Sequence, residues 1–210
     1  MDIQSWKKSF DFRDQLVVLF LFLTQFMADT SQIAQRTESM NNVKNLALAQ
    51  KNFCSQNDGL FAAPTLLNDA GEPVHGWVTQ LLPMIDQSAL YERIDKSLPW
   101  DHPDNQEYFR LQIQVLQNPS LEEELNSEGY PLSHYTLNTR MFPKGQSLTE
   151  DYVSRADGLS STILMGEIQE GLMPWGAPGN ARDPALGLKP GLKTMGVDFW
   201  GGWRGNDAQQ

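Results

Sequence analysis

The chain has 210 residues, a formal net charge of -10 and a single cysteine. That length allows one full hydrophobic core with an appendage. The negative charge excludes a nucleic-acid binder and disfavours docking on anionic lipid, because both need a basic surface. The lone Cys54 excludes an internal disulfide, and nothing near it completes a CxxC or zinc pattern.

The negative charge lies mostly downstream of residue 68, whereas Lys7, Lys8 and Arg13 nearly balance Asp2, Asp11 and Asp14. Residues 16–23, LVVLFLFL, form an unbroken apolar run that Phe26, Met27 and Ala28 extend. A transmembrane helix needs about 20 apolar residues, and this stretch is shorter. Three readings fit it: a signal-peptide core, a buried core helix, or a membrane anchor that continues as a polar helix. Asp11 and Asp14 weigh against the first, and MADTSQ is a poor cleavage site.

No glycine or proline occurs before Gly59. Ile33, Met40, Val43, Leu46, Ala47 and Phe53 recur at three-, four- and seven-residue steps. The spacing predicts one long helix from about residue 10 to 54, stopped by Asn57-Asp58-Gly59. Its first half is apolar all round and its second half carries one apolar stripe. Residues 1–30 are therefore assigned to an apolar N-terminal segment, and 31–210 to a globular head that includes the second half of the helix. Cys54, near the helix end, is expected to be a half-buried thiol.

Beyond Gly59 the glycines and prolines favour short elements and many turns. Asn68-Asp69-Ala70-Gly71 reads as a loop. Asp86 to Asp95 reads as a short helix with Leu90, Tyr91 and Ile94 inward. Pro99 to Pro103 reads as a turn, and Gln106 to Leu116 as helix or extended chain. Tyr135 to Met141 and Ser161 to Ile168 look like strands, and 175–196 is a long Gly/Pro-rich loop. The class is α+β: a long N-terminal helix packed on a small antiparallel sheet head with long loops. Glu122-Glu123-Glu124 reads as a solvated face.

Candidate chemistry is sparse. His75, Asp101, His102, Asp104 and His134 invite a metal reading, but they are scattered and two of the histidines lie beside turn residues. Asp157-Gly158 lacks the alternating acids of a calcium loop. Ser160 and Ser161 lack a nucleophile elbow. Glu167 and Asp157 are acids, but no sequence pattern aims them at one cleft. Glu167, inside an apolar strand, is expected to cap a buried hydrogen-bond network. No cofactor is implied. Six tryptophans remain: Trp77, Trp100 and Trp175 suit the core, with Trp175 also a candidate contact for a partner or a sugar, while Trp200 and Trp203, flanked by glycines, are better placed for such a contact.

Several fragments then fall into a recognisable order. Asn41-Asn42-Val43-Lys44-Asn45-Leu46-Ala47-Leu48-Ala49, Gly59-Leu60-Phe61, Trp77 to Asp95, Pro99-Trp100-Asp101 with Pro103 and Asn105, Asp157 to Leu164 with Glu167, and Pro174-Trp175 follow one another. Together they resemble a large bacterial family of unknown function, domain of unknown function number fifteen-fifty-nine, whose members begin like type IV prepilins. The resemblance implies a pilin-like architecture and a place in the cell envelope. It also implies a candidate single-pass anchor, a head outside the cytoplasm, and self-association or contact with other pilin-like proteins through the N-terminal helix. The prepilin peptidase motif is not matched: residues 3–8 read Ile3, Gln4, Ser5, Trp6, Lys7 and Lys8. Two cysteine positions of the family hold Ser39 and Asn118. The chain ends on Gly201-Gly202-Trp203-Arg204-Gly205-Asn206 and four further residues, before the family's closing strand, so either this copy is truncated or its sheet lacks an edge strand. The expected role is that of a non-enzymatic pseudopilin-like structural or interaction protein. A saccharide- or ligand-binding module using exposed aromatics is the alternative, and a hydrolase the second.

Overall fold

The computed structural model describes residues 12–143 and 146–184. Helix α1, Phe12–Gln56, is one continuous element, about 68 Å long at the usual rise per residue. It ends where the sequence places its stop. Asn57 donates its side-chain amide to the Phe53 carbonyl at 2.7 Å, and the Gly59 amide caps the Cys54 carbonyl at 3.0 Å. Gly59 does so at φ +77, a left-handed conformation that favours glycine.

The buried face of α1 differs from the expected stripe. Val43 and Leu46 are buried as the spacing predicts, but Ile33 and Met40 are exposed. The face that meets the head runs Ser39, Asn42, Val43, Leu46, Ala49, Gln50 and Cys54. It keeps the three- and four-residue spacing of a helix face, yet nearly half of it is polar, and a hydrophobic pattern cannot see that half. Cys54 is fully buried rather than half-buried. Burial is worth about 1.5–3 kcal/mol for a side chain the size of Val43 or Leu46, so this stretch anchors the helix.

The head follows as short elements. Strands β1 (Thr65–Leu67) and β2 (Pro73–Gly76) form an antiparallel hairpin. Its loop is tied by Asn68, whose side-chain oxygen accepts from the Ala70 and Glu72 amides. Helix α2 (Trp77–Leu81) runs into a 3-10 turn at Leu82–Ile85, then α3 (Ser88–Arg93) and α4 (Gln106–Phe109). Leu90 and Ile94 are buried and Tyr91 packs against the core, as the 86–95 reading expects. Gln106 to Leu116 is neither one helix nor one strand: α4 is followed by a separate 3-10 turn at Gln114–Leu116.

Strand β3 (Leu132–Ser133) pairs antiparallel with β6 (Met173–Pro174). Strand β4 (Tyr135–Asn138) is the centre of a three-stranded sheet. It runs antiparallel to β5 (Met165–Glu167), which follows α5 (Glu150–Ala156), with Tyr135 opposite Glu167. On its other side β7 (Ala181–Arg182) lies parallel to it. The class is α+β as expected, but the sheet is mixed, because a two-residue strand from the 175–196 loop closes its far edge. Helix α1 packs on the 3-10 turns at Leu82–Ile85 and Gln114–Leu116, on α2 and on β5.

Loops meet the hairpin at close range. The Gly76 amide donates to the Gly176 carbonyl at 2.8 Å. A Cβ at Gly76 would stand 2.4 Å from the Ala177 carbonyl oxygen and 3.2 Å from that of Trp175. Both obstacles are backbone, so neither swings away. Replacing Gly76 with Ala is expected to cost about 1–3 kcal/mol by overpacking. Urea unfolding should show a lower midpoint at unchanged slope, and an unmoved midpoint would contradict the close approach.

Candidate functional site

The residues nominated from sequence for metal chemistry do not come together. His102 and Asp104 share a turn, with Nδ1 3.6 Å from the Asp104 carboxylate. His75 and His134 are each fully buried, but in different parts of the head. Among the described residues no three His, Cys, Asp or Glu side chains converge as metal ligands. Asp157 is exposed at the end of α5 while Glu167 is buried on β5. Ser160 and Ser161 sit exposed in a 3-10 turn.

The tryptophan reading needs one correction. Trp175 is 1% exposed. Its indole N–H donates to the Leu111 carbonyl at 3.0 Å, and its ring meets Phe109 at 4.6 Å. Phe109 in turn touches Trp100 and His75, and Trp100 touches Tyr130 at 4.9 Å. Trp175 therefore offers no face to a sugar or a partner: the Pro174-Trp175 turn folds it into an aromatic cluster, with Gly176 close against the Phe109 ring. Trp200 and Trp203 lie outside the described residues.

His75 belongs to the same cluster, stacked on Phe109 with ring centroids 5.3 Å apart. Neither ring nitrogen makes a hydrogen bond of good geometry, although the Asp95 backbone lies near enough to act on the ring. Burial pushes its pKa down to about 4, because a buried imidazolium loses its hydration without gaining a partner. His134 is also depressed by burial. Its Nδ1 accepts from the Asn118 amide at 2.7 Å, and Nε2 faces the Glu123 carbonyl at 2.9 Å. That pair of contacts fixes the tautomer with the proton on Nε2.

The densest polar arrangement lies where α1 meets the sheet. Glu167 is 5% exposed. Ser39 of α1 donates its hydroxyl to one carboxyl oxygen, and Asn118 donates its side-chain amide to the other. The Ser39 oxygen also lies 3.2 Å from the Tyr135 hydroxyl. The network foreseen at Glu167 is thus real, and it joins α1, the 118 segment, β4 and β5. Burial raises the Glu167 pKa above its ordinary value, and the Ser39 hydrogen bond offsets part of that rise. Ser39 and Asn118, the two positions singled out as a pair by their missing cysteines, meet on a single carboxyl group. Nearby, Asn42 donates to the Gln117 carbonyl at 2.8 Å, and Gln50 pairs with both backbone groups of Ala62.

The family model described as a protein of unknown function (DUF1559) matches residues 32–154, more than half of the chain. The chain belongs to this family. The match starts within α1 and ends within α5, so the family region holds Ser39, Asn118 and Tyr135, while Glu167 lies just beyond it. No curated protein and no solved structure matches the chain. Within the family region, Asn105 organises the Pro99-Trp100-Asp101 turn. Its buried side chain accepts from the Asp95 amide at 3.0 Å and donates to the carbonyls of Asp95 and Pro99 at 2.9 and 3.0 Å. Asn105 was legible only as a motif letter, because nothing in one sequence marks a turn asparagine as fully buried.

The His75 environment yields a signed prediction. Its depressed folded-state pKa supplies stability that is present above the unfolded value of 6.5 and is lost as pH falls towards about 4. From pH 7 to pH 5 this amounts to about 2 kcal/mol for one site. His75→Phe keeps the ring stack and removes the titration. Its urea-unfolding free energy should fall less than that of the native chain over the same interval; equal falls would show that His75 is not the acid-sensitive group.

Proposed function

We propose that the protein is a non-enzymatic, pseudopilin-like component of the cell envelope, which associates through its N-terminal helix and presents the head away from it. The observation that carries this reading is the division of labour along α1. From Ser39 to Cys54 the helix is committed to the head. Before that it carries large apolar side chains with no head to cover them: Phe20 and Ile33 are each 66% exposed. Those side chains lose free energy in water and gain it in lipid or against other helices. Among the described residues no helix is long and apolar enough to cross a membrane, so contact with neighbouring helices or a membrane interface suits the segment as well as insertion does.

The head supports the non-enzymatic part of the reading. Among the described residues, Glu167, His75 and His134 are enclosed by packing. An enzyme needs a nucleophile or a base within reach of a substrate in a concave site; Glu167, His75 and His134 owe their shifts to burial, while Asp95, Tyr108 and Glu150 owe theirs to hydrogen bonds with neighbouring side chains.

Fractionation of cells expressing the whole chain tests the proposal. A membrane-bound or secreted pool is expected, and complete recovery in the soluble cytosol would overturn it. Phe20→Asp supplies the second arm. A charge at the centre of an apolar helix costs about 2.5–3.5 kcal/mol on insertion, so recovery in the membrane fraction should drop roughly a hundredfold while the head still folds. An unchanged distribution would mean that the head, not the helix, makes the attachment.

A further inference from the structure

We propose that Glu167 is a proton-operated latch that holds α1 on the head: while the carboxyl carries its proton the helix is fastened, and ionisation loosens it. Only one of the two carboxyl oxygens can hold the proton. The Asn118 side-chain oxygen is occupied by the Ser120 amide at 2.9 Å, so Asn118 can present only its NH2 group to Glu167. That carboxyl oxygen is an acceptor whatever the protonation state. The proton must therefore sit on the other oxygen, the one facing Ser39.

Ser39 can serve both states because its hydroxyl rotates. With Glu167 ionised, Ser39 donates to the carboxylate and accepts from the Tyr135 hydroxyl. With Glu167 neutral, the acid donates to the Ser39 oxygen, and Ser39 donates onward to Tyr135, 3.2 Å away. The hydroxyl chain reverses direction without moving a heavy atom. Hydrogen bonding thus remains in place in both states, and the difference between them is the cost of a buried charge.

That cost has no compensating cation. On α1, Ser39 and Asn42 face the cluster, and Glu38 acts on the Tyr135 phenol. From β4 come Tyr135, its pKa pushed up to about 12 by burial, and the neutral ring of His134 next to it. The 118 segment supplies Asn118, and Glu123 and Glu124 act on His134 from the same side. Among the described residues no lysine or arginine acts on the carboxyl, and burial dominates its shift. A carboxylate there is relieved only by admitting water, and water enters where α1 separates from β5.

The sign follows from linkage. The folded-state pKa is raised, so the latch contributes its full stability below the unfolded value of 4.5 and loses it as pH climbs to the folded value. Between those limits, protection of α1 amides should fall roughly tenfold per pH unit and then level off. His75 and His134 act in the opposite direction over their own range, so the comparison must be made against a variant that differs only at Glu167.

Glu167→Gln is that variant. Its amide oxygen can accept from Asn118 and its NH2 can donate to Ser39, which reproduces the protonated arrangement at every pH. Hydrogen–deuterium exchange on the whole chain, corrected for intrinsic rates, reads the outcome on peptides covering 39–50. The native chain should lose protection as pH rises while E167Q keeps it. Equal pH dependence in the two proteins would overturn the proposal, and so would α1 loosened at every pH in E167Q. Should E167Q fail to fold, the native chain alone still decides. Its infrared spectrum should show a protonated-carboxyl band that outlasts those of the exposed carboxylates as pH rises. Loss of the whole band together with theirs would sink the latch. The inference rests on the helix–head interface and stands or falls independently of where the helix attaches.

Discussion

Everything in the head is arranged around the face of α1 between Ser39 and Cys54. Val43, Leu46 and Ala49 supply the apolar attraction, which is strong but non-directional. Register comes from the polar residues beside them. Ser39 reaches Glu167, Asn42 reaches the Gln117 carbonyl, and Gln50 matches both backbone groups of Ala62. These partners are drawn from β5, the 118 segment and the stretch after the helix end. A one-residue slip would rotate the face by roughly 100° and separate all of them at once. Each buried polar group left unpaired costs about 1–3 kcal/mol, so the polar contacts make one docking geometry far better than its neighbours.

A second constraint is the shortage of sheet. Among the described residues no strand exceeds four residues, yet buried backbone groups still need partners. Side-chain amides fill the gap. Asn105 satisfies one amide and several carbonyls in the Pro99 turn, Asn126 accepts from Glu128 and Tyr130, and Asn68 ties the hairpin loop. The aromatic cluster then fills what the strands do not enclose, with Phe109 touching Trp100, Trp175 and His75. This explains why tryptophans flanked by turn residues are interior: in a head built from loops, the loops are the core.

The same two constraints set what the sequence could reveal. Local signals were readable. The long helix, its Asn-Asp-Gly stop, the 86–95 helix and the two central strands follow from periodicity and punctuation, although β4 and β5 are shorter than the runs that suggested them. The polar half of the α1 face was not readable, because Ser39 and Asn42 look like solvent-facing residues until their partners, 75 to 128 positions away, are in place. Ile33 and Met40 failed for the complementary reason: an apolar residue on a helix reads as buried whether or not anything covers it. Glu167 stood out only because an acid in an apolar strand demands a partner. Strand β7 was invisible, since two residues carry no period and its pairing with β4 is decided by the chain reaching back across the sheet.

The buried ionisable groups give the two halves of the structure opposite sensitivities. His75 and His134 sit in the head with their charged forms disfavoured, so acid weakens the head. Glu167 sits between head and helix with its charged form disfavoured, so base weakens the joint. Carboxyl and imidazole respond to the same burial with shifts of opposite sign, because one is charged without its proton and the other with it. A chain with a surplus of ten negative charges has many carboxylates exposed to water, where ionisation is cheap; what separates Glu167 from them is its enclosure by α1. The helix creates the condition that makes its own attachment depend on a proton. Head and joint then respond to a change of pH with opposite sign.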